Sequence, residues 1–310
     1  EKGIHRGAHL VAIGGGACSD FAGLVAAMLL RGISWSVIPT TLLSIIDASI
    51  GGKVAVNSKH GKNLIGAFHL PQNIFICSGF LSTLPEDEFI SGLGELAKYY
   101  FLDEQVFHLV NNEASFDEIA LRCANYKQEV VEQDFKEGGV RKVLNLGHTL
   151  GHAIEKIYGL PHGVAVYWGL KLIFNIFERD EESQLLSEFS TVFGLDALIC
   201  PWNETLPVEE IMNYVSKDKK LISGELIEVI LSSGIGLPTI EKVRLDEIES
   251  RLTSYAHAKS EKTNTIKKIR VPSSKSFANR ALVLAALYPQ DIQLLNLPSS
   301  TDVINMINCL

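Results

Sequence analysis

The sequence predicts an α/β domain that gives way to a mostly α-helical one, followed by the opening of a further unit. Three observations carry this expectation. Strand-like and helix-like apolar patterns alternate over residues 9–78, and long helical patterns dominate from about 86 to 215. A charged, polar stretch at 241–265 then precedes a fresh pattern beginning at 266. Strand–helix–strand order calls for a parallel sheet with covering helices. The expected boundaries are 1–85, 86–245, a linker at 246–265, and 266–310.

The elements follow in order. "HLVAIGG" (9–15) reads as a short buried strand ending in glycines. "SDFAGLVAAMLLRG" (19–32) reads as a helix, because Phe21, Leu24, Val25, Met28 and Leu29 fall at i, i+3, i+4, i+7 and i+8 and form one apolar stripe. Ser19 or Asp20 suits its start and Gly32 its end. "SWSVIPTT" (34–41) and "QNIFICS" (72–78) are the next strands. "GELIEVILSSGIG" (224–236) suggests one returning strand, and 241–265 a last helix running into the linker. "IKKIRVPSSKSFANRALVLAALYP" opens the new unit, which is too short by residue 310 to be a domain alone. "EKGIHRGAHL" does not read like a natural start, so the chain is expected to begin within a domain.

Composition narrows the function classes. The chain has 310 residues, 46% hydrophobic and 21% charged, as in ordinary globular proteins. A net charge of −8 argues against nucleic acid, which needs a basic face. The longest apolar run, "FAGLVAAMLL" (21–30), falls short of the ~20 residues of a membrane span. Cys18, Cys77, Cys123, Cys200 and Cys309 form no C-x-x-C, which fits a reducing cytoplasm and no thiolate metal site.

Four stretches carry chemistry. "IGGGACSD" (13–20) lies between a strand and a helix, where small residues let backbone N–H groups approach a phosphate. The strict dinucleotide fingerprint wants a glycine at position 19, which is serine here; a tight structural turn explains the motif equally well. "DASIGGKVAVNSKHGKNLIGAFHLP" (47–71) crowds Asp47, Lys53, Asn57, Lys62 and Asn63 into a glycine-rich loop. Lysines beside glycines suit a phosphate or carboxylate, and a solvated surface loop is the bland alternative. "GLGELAKYYF" (92–101) puts Glu95 and Lys98 at i, i+3 in an apolar helix. An intrahelical ion pair or a metal would each satisfy the carboxylate. Finally, residues 127–163 hold Lys127, Arg141, Asn145, His148, His152 and His162. His148 and His152 share a helix face and could grip a metal together. Zinc readily takes two imidazoles and a carboxylate, and Glu95 could supply the carboxylate.

Taken together, these stretches resemble 3-dehydroquinate synthase from about residue 9 to 236. The resemblance rests on "GGGACSDFAG", "RGISWSVIPTTLLSIIDASIGGKVAVNSKHGKNLIGAF", "STLPEDEFISGLGELAKY", "LNLGHTLGHAIE", "HGVAVYWG" and "KDKK". "VPSSKSFANRALVLAAL" resembles the opening of 5-enolpyruvylshikimate-3-phosphate synthase through Lys275, Ser276, Asn279 and Arg280. The fold implied is a Rossmann-like, nucleotide-binding α/β domain, truncated at its start, before an α-helical metal- and substrate-binding domain. The short start of a second α/β enzyme would follow, too short for that enzyme's activity.

The resemblance implies a fused shikimate-pathway protein. Its reaction would convert 3-deoxy-D-arabino-heptulosonate 7-phosphate to 3-dehydroquinate and phosphate. Oxidation by NAD, phosphate elimination, reduction and aldol closure would occur in one site. The metal ligands implied are Glu95, His148 and His162, with zinc expected and cobalt as a substitute. NAD contacts would be Gly15, Gly16, Asp20, Thr40, Thr41, Lys62 and Thr83. Lys53, Lys98, Arg141, Asn145 and His152 would be catalytic. Asp47, Asn63, Lys127 and Lys219 would hold substrate, with Arg31 entering from the partner subunit of a homodimer. Three other readings compete: a sugar-phosphate cyclase using sedoheptulose 7-phosphate, a metal-dependent polyol dehydrogenase, and a non-catalytic scaffold remnant.

Overall fold

A computed structural model describes residues 3–59, 61–202, 205–217, 221–223, 225–263, 267–270, 275–288 and 292–309. The chain divides into two compact units. One comprises Glu1–Asn203 with Pro207–Arg251, and the other Glu204–Leu206 with Leu252–Leu310.

The larger unit begins with β1 (His9–Gly14), α1 (Gly16–Met28) and β2 (Ser34–Pro39). β1 and β2 pair in parallel from His9 opposite Ser34 to Gly14 opposite Pro39. After the hairpin strands β3 (Lys53–Ser58) and β4 (Gly61–Phe68), the two-residue β5 (Asn73–Ile74) completes a parallel sheet in the order β1-β2-β5.

The sequence misplaced the face and start of α1. Phe21 and Met28 are 60% and 71% exposed. The helix instead buries its small-residue side (Ser19, Gly23, Leu24 and Ala26) against Trp35, Val37 and Val54. Gly23 decides this, since a Cβ there would lie 2.3 Å from Val54 Cγ1, so only a bare backbone sits that close. The helix starts at Gly16 with Gly15 as its cap. The Ser19 hydroxyl donates back to the Gly16 carbonyl at 2.9 Å and therefore caps nothing. A 3-10 turn, Leu29–Arg31, ends the helix with Leu30 and Arg31 at positive φ.

Residues 47–71, expected as a glycine-rich loop, are mostly regular. A short π-helix (Ser44–Ala48) carries Asp47. β3 and β4 then form an antiparallel hairpin with a register shift between Val56 and Ser58. Val54 points into the core while Lys53 stays exposed, the alternation a two-sided strand requires.

The helical part follows a 3-10 turn (Ser78–Thr83). It contains α2 (Glu86–Leu102), α3 (Glu104–Asn111), α4 (Phe116–Gln133), α5 (His148–Tyr158), α6 (His162–Ile176), α7 (Asp180–Phe193) and α8 (Val208–Val215). Asp103 caps α3, and Ser115 with Glu118 forms a capping box at α4. α2 runs through the core and is buried from Ser91 to Leu102. Phe101 packs on Phe174 at 4.8 Å and Tyr100 on Phe189 at 5.1 Å.

α2 and α6 meet backbone to backbone. A Cβ on Gly94 would lie 1.9 Å from the Gly163 carbonyl oxygen, and one on Gly163 would lie 1.6 Å from that of Ser91. An antiparallel sheet closes this unit: β6 (Leu221–Ser223), β7 (Leu226–Ser232) and β8 (Pro238–Arg244). The single returning strand expected at 224–236 is thus the middle of three. α9 (Leu245–Thr263) follows.

The rest of the smaller unit contains β9 (Lys267–Arg270), α10 (Lys275–Leu287), β10 (Ile292–Leu295) and α11 (Thr301–Cys309). β9 and β10 pair in parallel, and Ala278 and Val303 are buried at its centre. No helix among the described residues is long and apolar enough to cross a membrane.

Candidate active site

Three ligand-type side chains converge in the helical part. Glu95 extends from the middle of α2, while His148 and His162 are the first residues of α5 and α6. Gly147, at φ 78°, turns the chain into α5, and Pro161 leads into α6. One ligand atom from each of the three lies within 4.8 Å of the others. His162 Nε2 is 3.1 Å and His148 Nε2 3.3 Å from Glu95 Oε1.

Glu95 is fully buried. Lys98 Nζ pairs with its Oε2 at 2.6 Å, yet neither carboxylate oxygen meets hydrogen-bond geometry with any neighbour. Burial opposes the charge, but Lys98 and then His148 hold Glu95 well below the usual carboxylate range. A buried carboxylate with unfilled lone pairs facing two imidazoles is the donor set that zinc or a similar divalent ion takes.

The far nitrogen of each imidazole is also held. His148 Nδ1 lies 3.1 Å from the Leu146 carbonyl, and His162 Nδ1 lies 2.9 Å from Glu155 Oε2. Burial works against a charged His162, but Glu155 and Glu95 outweigh it and push its pKa up to about 10. Burial drives His148 the other way.

A cavity of about 550 Å³ adjoins this cluster, with His148 in its wall. Asp20, Asp47, Lys53, Asn63, Lys98, Lys127, Arg141 and Asn145 line it as well, so most of the expected substrate residues are brought together. Asp47 organises its buried side. Lys98 Nζ reaches Oδ1 and Lys127 Nζ reaches Oδ2, each at 3.0 Å, and the Tyr99 hydroxyl donates to Oδ1. Burial would raise the Asp47 carboxyl, but Lys127 and Lys98 hold it far below its ordinary value. Arg141 is buried and donates to the carbonyls of Phe135 (2.6 Å) and Gly51 (3.0 Å).

The residues expected to contact a dinucleotide divide. Gly15, Gly16, Thr40 and Thr41 gather where β1 and β2 end and α1 begins, the carboxyl edge at which open α/β sheets bind ligands. A Cβ on Gly15 would lie 2.9 Å from Thr41 Cγ2. Asp20 sits one turn into α1, and burial pushes its pKa up to about 6 against Lys127. Lys62 instead pairs with Glu155. Thr83 is exposed, donating to the Phe80 carbonyl at 3.2 Å.

The other expected residues lie apart from the cavity lining. His152 is exposed, with its ring 5.3 Å from that of His148 and 5.9 Å from that of His162. It lies outside the converging ligand set. Arg31 is exposed at the end of the α1 turn. Lys219 falls outside the described residues. Lys275, Ser276 and Arg280 lie on α10 in the smaller unit, with Ser276 and Arg280 exposed.

Sequence reasoning missed two carboxylates. Glu155 supports His162, and Glu137 pairs with Lys53 and accepts from Asn145 Nδ2 at 2.8 Å. Each looks like an ordinary solvated glutamate along the chain. The only signal was proximity: Glu155 follows His152 by three residues, and Glu137 precedes Arg141 by four.

Comparison with known proteins points to one family for most of the chain. Residues 1–91 match the family described as 3-dehydroquinate synthase N-terminal, and residues 92–221 its C-terminal counterpart. Residues 260–310 match EPSP synthase (3-phosphoshikimate 1-carboxyvinyltransferase). The 3-dehydroquinate synthase of Thermococcus kodakarensis is 43% identical over 246 residues, covering 78% of this chain and 71% of that protein. That of Pyrococcus furiosus is 41% identical, covering 78% and 73%.

Among solved structures, 2-deoxy-scyllo-inosose synthase complexed with carbaglucose-6-phosphate, NAD+ and Co2+ aligns with a TM-score of 0.70. It is 26% identical, with 81% of this chain and 75% of that one covered. The 2-epi-5-epi-valiolone synthase of Streptomyces hygroscopicus, with NAD+ and Zn2+ bound, aligns at 0.68 and 26%, covering 81% and 74%. With a relative this similar spanned over more than two thirds of its length, the chain belongs to the 3-dehydroquinate synthase family.

Proposed function

We propose that the chain is the 3-dehydroquinate synthase part of a fused shikimate-pathway protein. It converts 3-deoxy-D-arabino-heptulosonate 7-phosphate to 3-dehydroquinate and phosphate. The observation that carries this is the pairing of a cation-lined cavity with an adjoining, largely buried Glu95–His148–His162 cluster. Neither half alone implies a substrate that is both anionic and polyhydroxylated. The EPSP synthase match at 260–310 supports the fusion, though so short a stretch does not perform that enzyme's reaction.

Glu95, His148 and His162 would hold the metal, and the two Glu95 oxygens, without hydrogen-bond partners, fit it. Gly15, Gly16, Thr40 and Thr41, with Asp20, Lys62 and Thr83, would hold NAD, whose phosphates suit the N-terminus of α1. Bound there, the ion supplies Lewis acidity toward sugar hydroxyls and NAD supplies a reversible hydride acceptor.

The chain's own residues bind and orient the substrate. Lys53, Lys98, Lys127 and Arg141 place cations where the substrate's phosphate and carboxylate need them, and stabilise negative charge as it develops. Asp47 keeps Lys98 and Lys127 in place, and Glu137 does so for Lys53 and Asn145. Asn63 and Lys219 complete the substrate contacts. His152, beyond the ligand cluster, serves the phosphate end. Holding one flexible substrate through several steps accounts for much of the rate gain. We place this chemistry in the cytoplasm of the cell and in a homodimer, with Arg31 contributed across the interface.

The test is phosphate release and dehydroquinate formation, measured on the full-length protein with and without chelator. Activity indifferent to chelation and to NAD removal sinks the mechanism. Turnover of sedoheptulose 7-phosphate instead reassigns the chain to another cyclase. His148→Ala should lose bound metal and turnover together, whereas His152→Ala should keep metal and lose turnover. Equal metal loss in both would return the two-histidine grip.

A further inference from the structure

The two histidines of the cluster are supported in different ways. His148 leans on a backbone carbonyl, that of Leu146, which belongs to the chain entering its own helix and cannot change charge. His162 leans on the side chain of Glu155, which arises from the neighbouring helix α5 and is almost fully buried. The other oxygen of Glu155 is taken by Lys62 Nζ, which arises from β4 across the site and is about half exposed. A continuous chain thus runs from the hairpin ammonium through a buried carboxylate and an imidazole to Glu95.

We propose that Glu155 is the positioning residue for His162, and that Lys62 on the hairpin moderates it, so that hairpin placement sets how tightly the cluster holds its ion. The inference rests on the metal reading above. A carboxylate accepting from Nδ1–H fixes the imidazole tautomer, turns the Nε2 lone pair toward the ion and makes that nitrogen more basic. An ammonium on the same carboxylate draws off part of its charge and weakens the effect. Any ligand that draws Lys62 away from Glu155 would therefore tighten the ion. By reciprocity, the ion would tighten that ligand.

The experiment is metal affinity, read by competition with a chromophoric chelator, together with the visible spectrum of the Co2+-loaded chain. Glu155→Ala should weaken binding about 10- to 100-fold, as expected for loss of a ligand's outer carboxylate, and should alter the Co2+ bands. Glu155→Gln, which keeps shape and an acceptor oxygen, should fall between it and wild type. Lys62→Met should tighten binding about two- to fivefold, the scale of one exposed ion pair. That gain should vanish when Glu155 is Ala.

Glu155→Ala binding within twofold of wild type, with unchanged Co2+ bands, overturns the positioning role. Should that variant fail to fold, Glu155→Gln with wild-type affinity and spectrum does the same. A Lys62→Met gain of equal size in both backgrounds overturns the coupling, because Lys62 would then act on the ion through space. Wild-type chain that takes up no ion removes the metal reading itself. Ion uptake indifferent to Glu155 removes this inference alone.

Discussion

The cavity has two walls that carry similar charges in opposite ways. On the helical wall, Lys98, Lys127, Arg141 and His148 are all at most 8% exposed, and Glu95 behind them is fully buried. On the hairpin side, the side chains of Lys53 in the wall and of Lys62 beyond it are 48% and 54% exposed. A buried charge is part of the fold, because its removal strands its partners in a low dielectric. A half-exposed charge is exchangeable, because water replaces its partner at little cost. The helical wall is therefore built once, at folding, whereas the hairpin wall can trade its carboxylate partners for a ligand.

The largest test of this contrast is Lys98→Met. It leaves the buried carboxylate of Glu95 and the part-buried one of Asp47 without their shared ammonium, so it should cost about 3–5 kcal/mol of folding stability, read from the urea midpoint. A loss under ~1 kcal/mol would show that the helical wall is no more integral than the hairpin.

Gly163→Ala comes next. Its new Cβ would meet the Ser91 carbonyl and should cost about 1–3 kcal/mol or more by forcing α6 off α2. Metal affinity should fall with stability, since His162 is the adjacent residue. On the other wall, Lys53→Met should change stability by less than ~1 kcal/mol and lower turnover about 10²- to 10³-fold, as for loss of one preorganised charge donor. Thermal denaturation beside kcat/KM separates the two readouts.

The smallest effect belongs to Asp20, whose pKa is raised from 3.8 to about 6 in the folded chain. A raised acid binds its proton more tightly when folded, so stability falls as pH climbs from 3.8 through 6 and levels off above. Asp20→Asn removes that fall. It should raise Tm slightly above pH 6 and leave it unchanged below 3.8, and a pH-independent shift would contradict the burial of this carboxyl.

The same contrast explains what the sequence disclosed. Glu95 and Lys98 stood out because charges inside the apolar run of α2 have to be answered by something buried. His148 and His162 stood out by their spacing and their apolar flanks. The β3–β4 hairpin did not, because Lys53, Asn57 and Lys62 make half-exposed strands look like a polar loop. Glu137 and Glu155 also take partners 84 and 93 residues away, Lys53 and Lys62, and no local period encodes such pairings. The buried face of α1 was misread for a related reason. Five large apolar residues outvoted Gly23, yet the absence of a side chain is what brought that helix down on Trp35.

The glycines where α2 crosses α6 also bear on ion selectivity. Glu95 follows Gly94 and His162 precedes Gly163, so two of the three proposed ligands flank a contact of bare backbone. Main chain against main chain neither compresses nor swings, and it acts as a gauge block for the gap between those ligands. Such a gap sorts ions by radius. It would favour ions that bind nitrogen and oxygen at about 2.0–2.2 Å over calcium at about 2.3–2.6 Å, and any side chain added at the crossing would recalibrate it toward larger ions.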